Sequence, residues 1–183
     1  MIRALDEHRL LLNIRPAQRS DLAALLRLEN TCFETDRLSR RSLLRFTRPG
    51  RDATQSHLLL VAEADDREEV IADCLLLGRR QNTDAWYPTG RLYSLVVAPE
   101  YRGQQIALRL MHAVLTAAAN RQMQRVRLEV DPANAQALAL YRSLGFEQVD
   151  TLPGYYQNGR PALRLERALQ PERSFTPNPT AHD

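Results

Sequence analysis

Residues 92–146 read LYSLVVAPEYRGQQIALRLMHAVLTAAANRQMQRVRLEVDPANAQALALYRSLGF, and this stretch predicts the centre of the fold. Its Leu- and Val-rich start predicts a strand over residues 91–97, which ends before Pro99. Helical spacing of apolar residues predicts a helix over residues 103–120, and strict alternation predicts a second strand over residues 125–130. A strand, a long helix and a second strand in this order predict an α/β fold with a mixed sheet between helices.

The sequence on either side of this stretch predicts further strands and helices. Residues 58–63 and 70–77 flank a charged turn and together predict a hairpin. Residue types common at N-caps predict the starts of further helices, at Ser20-Asp21, Ser39 and Asn134. Short strands are predicted over residues 13–16, 146–149 and 162–167.

The composition is typical of one globular domain. Of 183 residues, 44% are hydrophobic and 26% are charged, which suffices to bury a core. We expect the domain to occupy residues 1–169, and residues 170–183, which have no apolar period, to form a flexible tail. No apolar run could span a bilayer and no secretory signal is recognisable at the start, so a cytoplasmic protein is expected. Cys32 and Cys74 fit a reducing compartment.

Several classes of site are not supported by the sequence. The four His residues are scattered and only two Cys are present, so no metal site is predicted. No Gly-x-Ser-x-Gly sequence is present, which argues against a hydrolase triad.

The basic residues, all of them Arg, include a dense local cluster within a chain of net charge +3. A solvated helix face explains such a cluster, and steering of an anionic cofactor or of an acidic or ribonucleoprotein partner is the alternative. Nucleic-acid binding is less favoured, because Phe46 is the sole interleaved aromatic and Asp36 and Asp52 flank the cluster. The cluster consists of Arg37, Arg40, Arg41, Arg45, Arg48 and Arg51.

The segment Arg102-Gly103-Gln104-Gln105-Ile106-Ala107 is a candidate anion site. A helix start presents unpaired backbone N–H groups and the positive end of the helix dipole, which suit a pyrophosphate. Many helices begin with Arg-Gly for no such reason. The glycines of a P-loop or of the dinucleotide-binding fingerprint are missing.

Glu129 and Tyr141 are a candidate acid/base pair. Glu129 closes a predicted strand and Tyr141 lies about two turns into the next helix, so both could reach one cleft. Each has a simpler explanation: Glu129 could pair with an Arg such as Arg127, and Tyr141 could pack at the edge of the core. Asn134, between them, could be only an N-cap.

Taken together, these motifs resemble the GNAT superfamily of acyl-CoA-dependent N-acetyltransferases. Within it, the chain is most similar to the bacterial ribosomal-protein alanine N-acetyltransferases (RimI type). The similarity spans roughly residues 14–169. It is strongest over residues 93–103, in Leu128-Glu129-Val130, at Asn134, over residues 139–146, and in Tyr155-Tyr156.

The resemblance implies a GNAT fold, with a mixed, mostly antiparallel central sheet whose splayed strands are flanked by helices. It implies acetyl-CoA as the donor, Glu129 as the general base and Tyr141 as the general acid. A backbone N–H near Val97 is the expected oxyanion donor. The residues implied to bind acetyl-CoA are Leu95, Val96, Val97, Arg102, Gly103, Gln104, Gln105, Ile106, Ala107, Leu108 and Asn134.

Two positions depart from the family pattern. Gln105 stands where the pyrophosphate-binding motif has Gly, and its side chain could crowd the ligand unless it turns outward. Asp73 stands where relatives often carry Gly. Both positions bear on cofactor affinity rather than on the fold.

We therefore expect an enzyme that transfers acetyl from acetyl-CoA to an amine, with the α-amino group of a protein or peptide as the favoured acceptor. A small-molecule amine or a lysine side chain is the alternative acceptor. A catalytically silent module that binds acetyl-CoA or a partner is the alternative from another class. A monomer or homodimer is expected, with no membrane and no nucleic-acid partner.

Overall fold

The computed structural model describes residues 10–33, 37–48, 57–64, 69–79 and 89–169. Within them one seven-stranded sheet is formed. Its strands are β1 (Leu12–Pro16), β2 (His57–Ala64), β3 (Glu69–Arg79), β4 (Thr89–Val97), β5 (Arg125–Val130), β6 (Glu147–Leu152) and β7 (Ala162–Ala168). They lie in the order β1-β2-β3-β4-β5-β7-β6. The predicted tail lies outside the described residues, as does Arg51 at the end of the Arg cluster.

Helices cover both faces of the sheet. They are α1 (Leu22–Cys32), α2 (Arg40–Phe46), α3 (Ile106–Asn120) and α4 (Ala135–Ser143). Helices α1 and α2 share one apolar cluster with the sheet, and α3 and α4 share the other. The predicted α/β architecture is confirmed. The face of α3 that Leu110, Val114 and Leu115 define is buried in the core as its spacing predicts.

Two of the predicted N-caps form and one does not. Ser39 Oγ accepts a hydrogen bond from the Ser42 amide, and Asn134 Oδ1 accepts one from the Ala137 amide. Asp21 lies directly before α1, but its side chain accepts no capping hydrogen bond from that helix. Its carboxylate instead accepts from the Gln18 amide at 2.7 Å and pairs with Arg15 at 2.8 Å.

Helix α3 begins at Ile106, three residues later than predicted. The residues before it form a turn in which Gly103 has φ +78° and Gln105 has φ +59°. Both values lie in the left-handed region, which no α-helix of L-residues uses. The apolar pattern fixes the helix face but not its first residue, because the turn residues carry no apolar signal.

Strands β4 and β5 form the sheet's one parallel pair and diverge after a short contact. Their register covers only Thr89 to Arg91 of β4, so the rest of β4 has no partner on that side. The next residues carry a β-bulge at Tyr93, since Leu75 of β3 pairs with Ser94 and Leu76 pairs with Leu92. The splayed strands that the resemblance implies are therefore present, and they open a gap in the middle of the sheet.

Candidate functional site

A cleft of about 740 Å³ occupies the gap between β4 and β5. It brings together Glu129, Tyr141 and, with the exception of Gln104, all the residues that the resemblance implies to bind acetyl-CoA. Its wall also includes residues that the sequence did not single out as site residues, among them Cys32, Phe33, Tyr93, Ser94 and Asp131. Cys32 and Phe33 enter the wall at the end of α1, Tyr93 and Ser94 through the bulge of β4, and Asp131 directly after β5, and these placements depend on tertiary packing.

The free edge of β4 offers backbone groups to the cleft. The Ala98 amide donates to Ile71 on the β3 side, whereas the Val97 carbonyl accepts from Arg102 Nε at 3.2 Å on the other side. Because the N–H and C=O of one strand residue project to the same side, the Val97 N–H also faces the cleft. Cys32 Sγ contacts the same Val97 carbonyl at 3.7 Å. An extended ligand arm could pair with this edge as a strand would.

The start of α3 forms a cradle of backbone amides. From Gly103 to Leu108 no backbone N–H donates a hydrogen bond to any described residue. The first helical hydrogen bond runs from the Arg109 amide to the Gln105 carbonyl at 3.0 Å. These amides lie at the positive end of a 15-residue helix, which suits a ligand carrying a pyrophosphate.

Glu129 is held from both sides by arginines. Its Oε2 accepts from Arg91 Nε at 2.8 Å and its Oε1 accepts from Arg164 Nε at 3.1 Å, while its side chain is only 4% exposed. Among the described residues, the predicted alternative partner Arg127 forms no ion pair with Glu129, and its Nε has no hydrogen-bond partner. A carboxylate oxygen has two lone pairs, so each oxygen can still accept a proton or a further hydrogen bond.

Tyr141 lies on α4 with its ring in the core. The ring packs edge-on against Phe146, with centroids 5.7 Å apart, and the residue lines the cleft. Burial is the main cause that raises the pKa of Tyr141 well above its ordinary value. The hydroxyl therefore stays protonated at neutral pH, as a proton donor must.

Arg91 connects the elements around Glu129 and was not predicted from the sequence. Its Nε binds Glu129, its Nη2 donates to the Tyr155 hydroxyl at 2.6 Å, and its guanidinium lies 5.5 Å from the centre of the Tyr93 ring. The side chain thus joins β4, β5 and the loop between β6 and β7.

Tyr156, which follows Tyr155 in this loop, also lines the cleft. Burial and then the charge of Asp131 raise the pKa of Tyr156 to about 12.

Asp73, on β3, is buried without a charged partner among the described residues. It is 1% exposed, and neither of its oxygens nor the Ser94 Oγ makes a hydrogen bond of normal geometry with the described residues. Burial first, and the carboxylate of Glu29 on α1 second, raise the pKa of Asp73 to about 8. Oε2 of Glu29 accepts from the Leu38 amide at 2.8 Å, whereas its Oε1 has no partner among the described residues.

We predict that Asp73→Asn makes stability less dependent on pH. The pKa of Asp73 lies above its unfolded value, so its contribution to stability is complete below about pH 4 and is lost as the pH rises through about 8. The melting temperature of the wild type should therefore fall between pH 5 and pH 9 more steeply than that of the variant. Thermal unfolding across this range tests this, and parallel curves would contradict it.

We predict that Gln105→Gly stabilises the protein. A left-handed L-residue costs about 1–2 kcal/mol, and glycine avoids this cost but gains some entropy in the unfolded chain, so a net gain of about 1 kcal/mol is expected. For a chain of this size that raises the melting temperature by about 2–4 °C.

Gln122→Gly is the matched control for Gln105→Gly. Gln122 has φ +58°, follows α3 and lies outside the cleft wall, so it should give a similar gain in stability. The Gln105 side chain is exposed, so acetyl-CoA affinity should stay equal or improve in Gln105→Gly and should not change in Gln122→Gly. A lower melting temperature in Gln105→Gly would contradict the prediction.

The described part of the chain contains no group of three or more His, Cys, Asp or Glu residues able to hold a metal ion. Among the helices described, none is long and apolar enough to cross a membrane.

The family model described as "Acetyltransferase (GNAT) family" matches residues 22–146. The chain belongs to this family. In this GNAT chain the match covers all four helices and the free edge of β4. It also covers the amide cradle of α3, Glu129 and Tyr141.

Curated relatives of this GNAT chain include several N-terminal acetyltransferases. N-alpha-acetyltransferase 30 of Schizosaccharomyces pombe is 40% identical over 75 residues, which are 41% of this chain and 50% of the relative. The N-alpha-acetyltransferase of Saccharolobus solfataricus is 37% identical over 81 residues, which are 44% of this chain and 48% of the relative. The ribosomal protein bS18 alanine N-acetyltransferase of Escherichia coli K12 is 34% identical over 65 residues, which are 36% of this chain and 44% of the relative. The chain spans about half the length of the curated relatives that it matches.

Solved structures confirm the GNAT fold. The ribosomal-protein-S18-alanine N-acetyltransferase from Escherichia coli superposes with a TM-score of 0.70 at 22% identity, over 87% of this chain and 94% of that chain. Arabidopsis thaliana NAA60 in complex with a bisubstrate analogue gives a TM-score of 0.75 at 20% identity, over 87% of this chain and 100% of that chain. At these identities the likeness establishes the fold alone.

Proposed function

We propose that this protein transfers acetyl from acetyl-CoA to the α-amino group of a protein or peptide in the cytoplasm. The observation that carries the proposal is the cleft itself, whose wall combines a free strand edge, a cradle of unpaired amides, Glu129 and Tyr141. The N-terminal acetyltransferases among its relatives support the class of acceptor.

Acetyl-CoA fits the groups that the cleft presents. The amides from Gly103 to Leu108 would hold the pyrophosphate, and the edge of β4 at Leu95 and Val97 would pair with the pantetheine arm. Asn134 Oδ1 accepts the hydrogen bond that caps α4, so the side-chain amide nitrogen of Asn134 is the group that would donate to the ligand. The Val97 N–H would stabilise negative charge that develops on the acetyl oxygen.

Glu129 would serve the acceptor. An α-amino group attacks a thioester only when neutral, and its pKa of about 7.7–8.0 leaves most of it protonated at neutral pH. The Glu129 carboxylate, held in place by Arg91 and Arg164, would accept the proton from the amine directly or through a water.

Tyr141 would serve the leaving group. The thiolate released from acetyl-CoA resembles that of a cysteine, with a pKa of about 8.5. The Tyr141 hydroxyl, kept protonated by burial, would donate a proton to this sulfur. Base and acid thus act on the two ends of one direct transfer.

A direct test is to titrate acetyl-CoA by thermal shift and then to follow thiol release with matched acceptors. One peptide has a free α-amine, a second has a blocked α-amine and one lysine, and small amines complete the panel. Release with the first peptide alone is the expected result. Stabilisation by acetyl-CoA with lysine or small amines as better acceptors would overturn the acceptor class. No stabilisation and no release would favour a silent module.

A further inference from the structure

An exposed arginine surface, formed by Arg37, Arg40, Arg41, Arg45 and Arg48, lies around α2 and is not used by the proposed chemistry. These side chains have no acidic partner among the described residues. The segments that form this layer, residues 10–33 and 37–48, contain only two acids. Asp21 and Glu29 are both buried, and neither forms an ion pair with these arginines, since Asp21 pairs with Arg15 and Glu29 accepts from the Leu38 amide.

The charges of the arginine surface work against the helix that carries them. Arg40 and Arg41 occupy the first turn of α2, where the positive end of the helix dipole disfavours cations. Arg41 and Arg45 are four residues apart, a spacing at which like charges repel. Leu43 of the same helix is 1% exposed, so α2 is held on the protein by its apolar side. An anionic ligand over the opposite side would relieve each of these repulsions.

The arginine surface reaches the rim of the cleft. Cys32 and Phe33, at the end of α1, line the cleft, and Arg37 Nε donates to the Phe33 carbonyl at 2.6 Å. A polypeptide whose first residue lies in the cleft can therefore leave it over α2. An extended chain advances about 3.3 Å per residue, so the residues that follow the first one would cross this helix in turn.

We propose that the arginine surface binds acidic residues that follow the N-terminus of the acceptor, so that acceptors with an acidic segment behind their first few residues are preferred. This inference rests on the proposed function, since it assigns the acceptor a direction out of the cleft. Because the arginines lie at the surface, they raise the affinity for the acceptor and its rate of association rather than the chemical step. Their contribution falls as salt is added.

The test uses peptides that share their first few residues and differ in the charge of the tail: acidic, neutral or basic. Thiol release gives kcat/KM, and fluorescence anisotropy gives binding without turnover. At low salt the acidic tail should raise kcat/KM over the neutral tail by about tenfold through KM, and the advantage should shrink at high salt. The paired variant Arg41→Gln/Arg45→Gln should lose this preference and keep the rate with the neutral tail.

The control variant Arg142→Gln removes a charge from an exposed residue that does not line the cleft, and it should keep the preference. Equal rates and equal binding for all tails would overturn the inference but not the proposed function. Failure of every peptide to be acetylated would reject the proposed function. Fluorescence anisotropy would then test the inference alone, and failure of the peptide with the acidic tail to bind would overturn it. Single-stranded RNA bound through Arg41 and Arg45, with no effect of tail charge, would also overturn it.

Discussion

Tyr141→Phe is expected to lower turnover by roughly 10²–10⁴-fold, the usual contribution of a positioned acid or base. The variant keeps the ring that packs against Phe146 and removes only the hydroxyl. Stability and acetyl-CoA affinity should therefore stay close to wild type, while kcat falls. Steady-state thiol release, together with thermal shift in the presence of acetyl-CoA, measures both quantities.

Tyr156→Phe is the matched control for Tyr141→Phe, because Tyr156 also places a phenol in the cleft wall. Its loss should lower turnover much less. Since burial keeps Tyr141 protonated, the wild-type rate should not decline as the pH rises from 7 to 9. Turnover near normal in Tyr141→Phe, or a larger loss in Tyr156→Phe, would show that another group protonates the thiolate.

Glu129→Gln is expected to lower kcat/KM near neutral pH by roughly 10²–10⁴-fold, because the amine then has no base at hand. The loss should shrink as the pH rises beyond about 8, where the α-amino group deprotonates without help. A pH profile of kcat/KM from 6 to 9.5 for wild type and variant gives both results.

Glu129→Gln also weakens two ion pairs, so a structural effect has to be separated from a chemical one. Glu166→Gln is the control: Glu166 pairs with Arg125 at 3.2 Å and does not line the cleft. It should leave kcat/KM unchanged. A loss in Glu129→Gln that persists at high pH would mean that Glu129 holds Arg91 and Arg164 in place rather than accepting a proton.

Much of the fold follows from local patterns that the sequence displays. Alternation predicts β5, and the residues of its buried side, Val126, Leu128 and Val130, are in the core. Apolar spacing likewise predicts the buried face of α3. These patterns are reliable because burial on one face imposes a period of two on a strand and of 3.6 on a helix.

The candidate site is less accessible to such reasoning. Their positions in the sequence made Glu129 and Tyr141 a candidate acid/base pair and the family resemblance implied their separate roles, and the structure places both in one cleft. Arg91 and Arg164 were not singled out, because they lie 38 and 35 residues from Glu129 and only the sheet brings them together. The proximity of the like-charged Glu29 and Asp73 carboxylates was missed for the same reason.

The sequence by itself determined which segments become strands and helices, where Ser39 and Asn134 cap them, and which motifs belong to a GNAT protein. These properties depend on neighbours along the chain. Only the tertiary structure decided that β4 leaves β5 after Arg91, that Glu129 lies between two arginines, and that Asp73 has no ion-pair partner among the described residues. The physical reason is that hydrogen bonding between strands, ion pairing and desolvation depend on which distant groups come within a few ångströms.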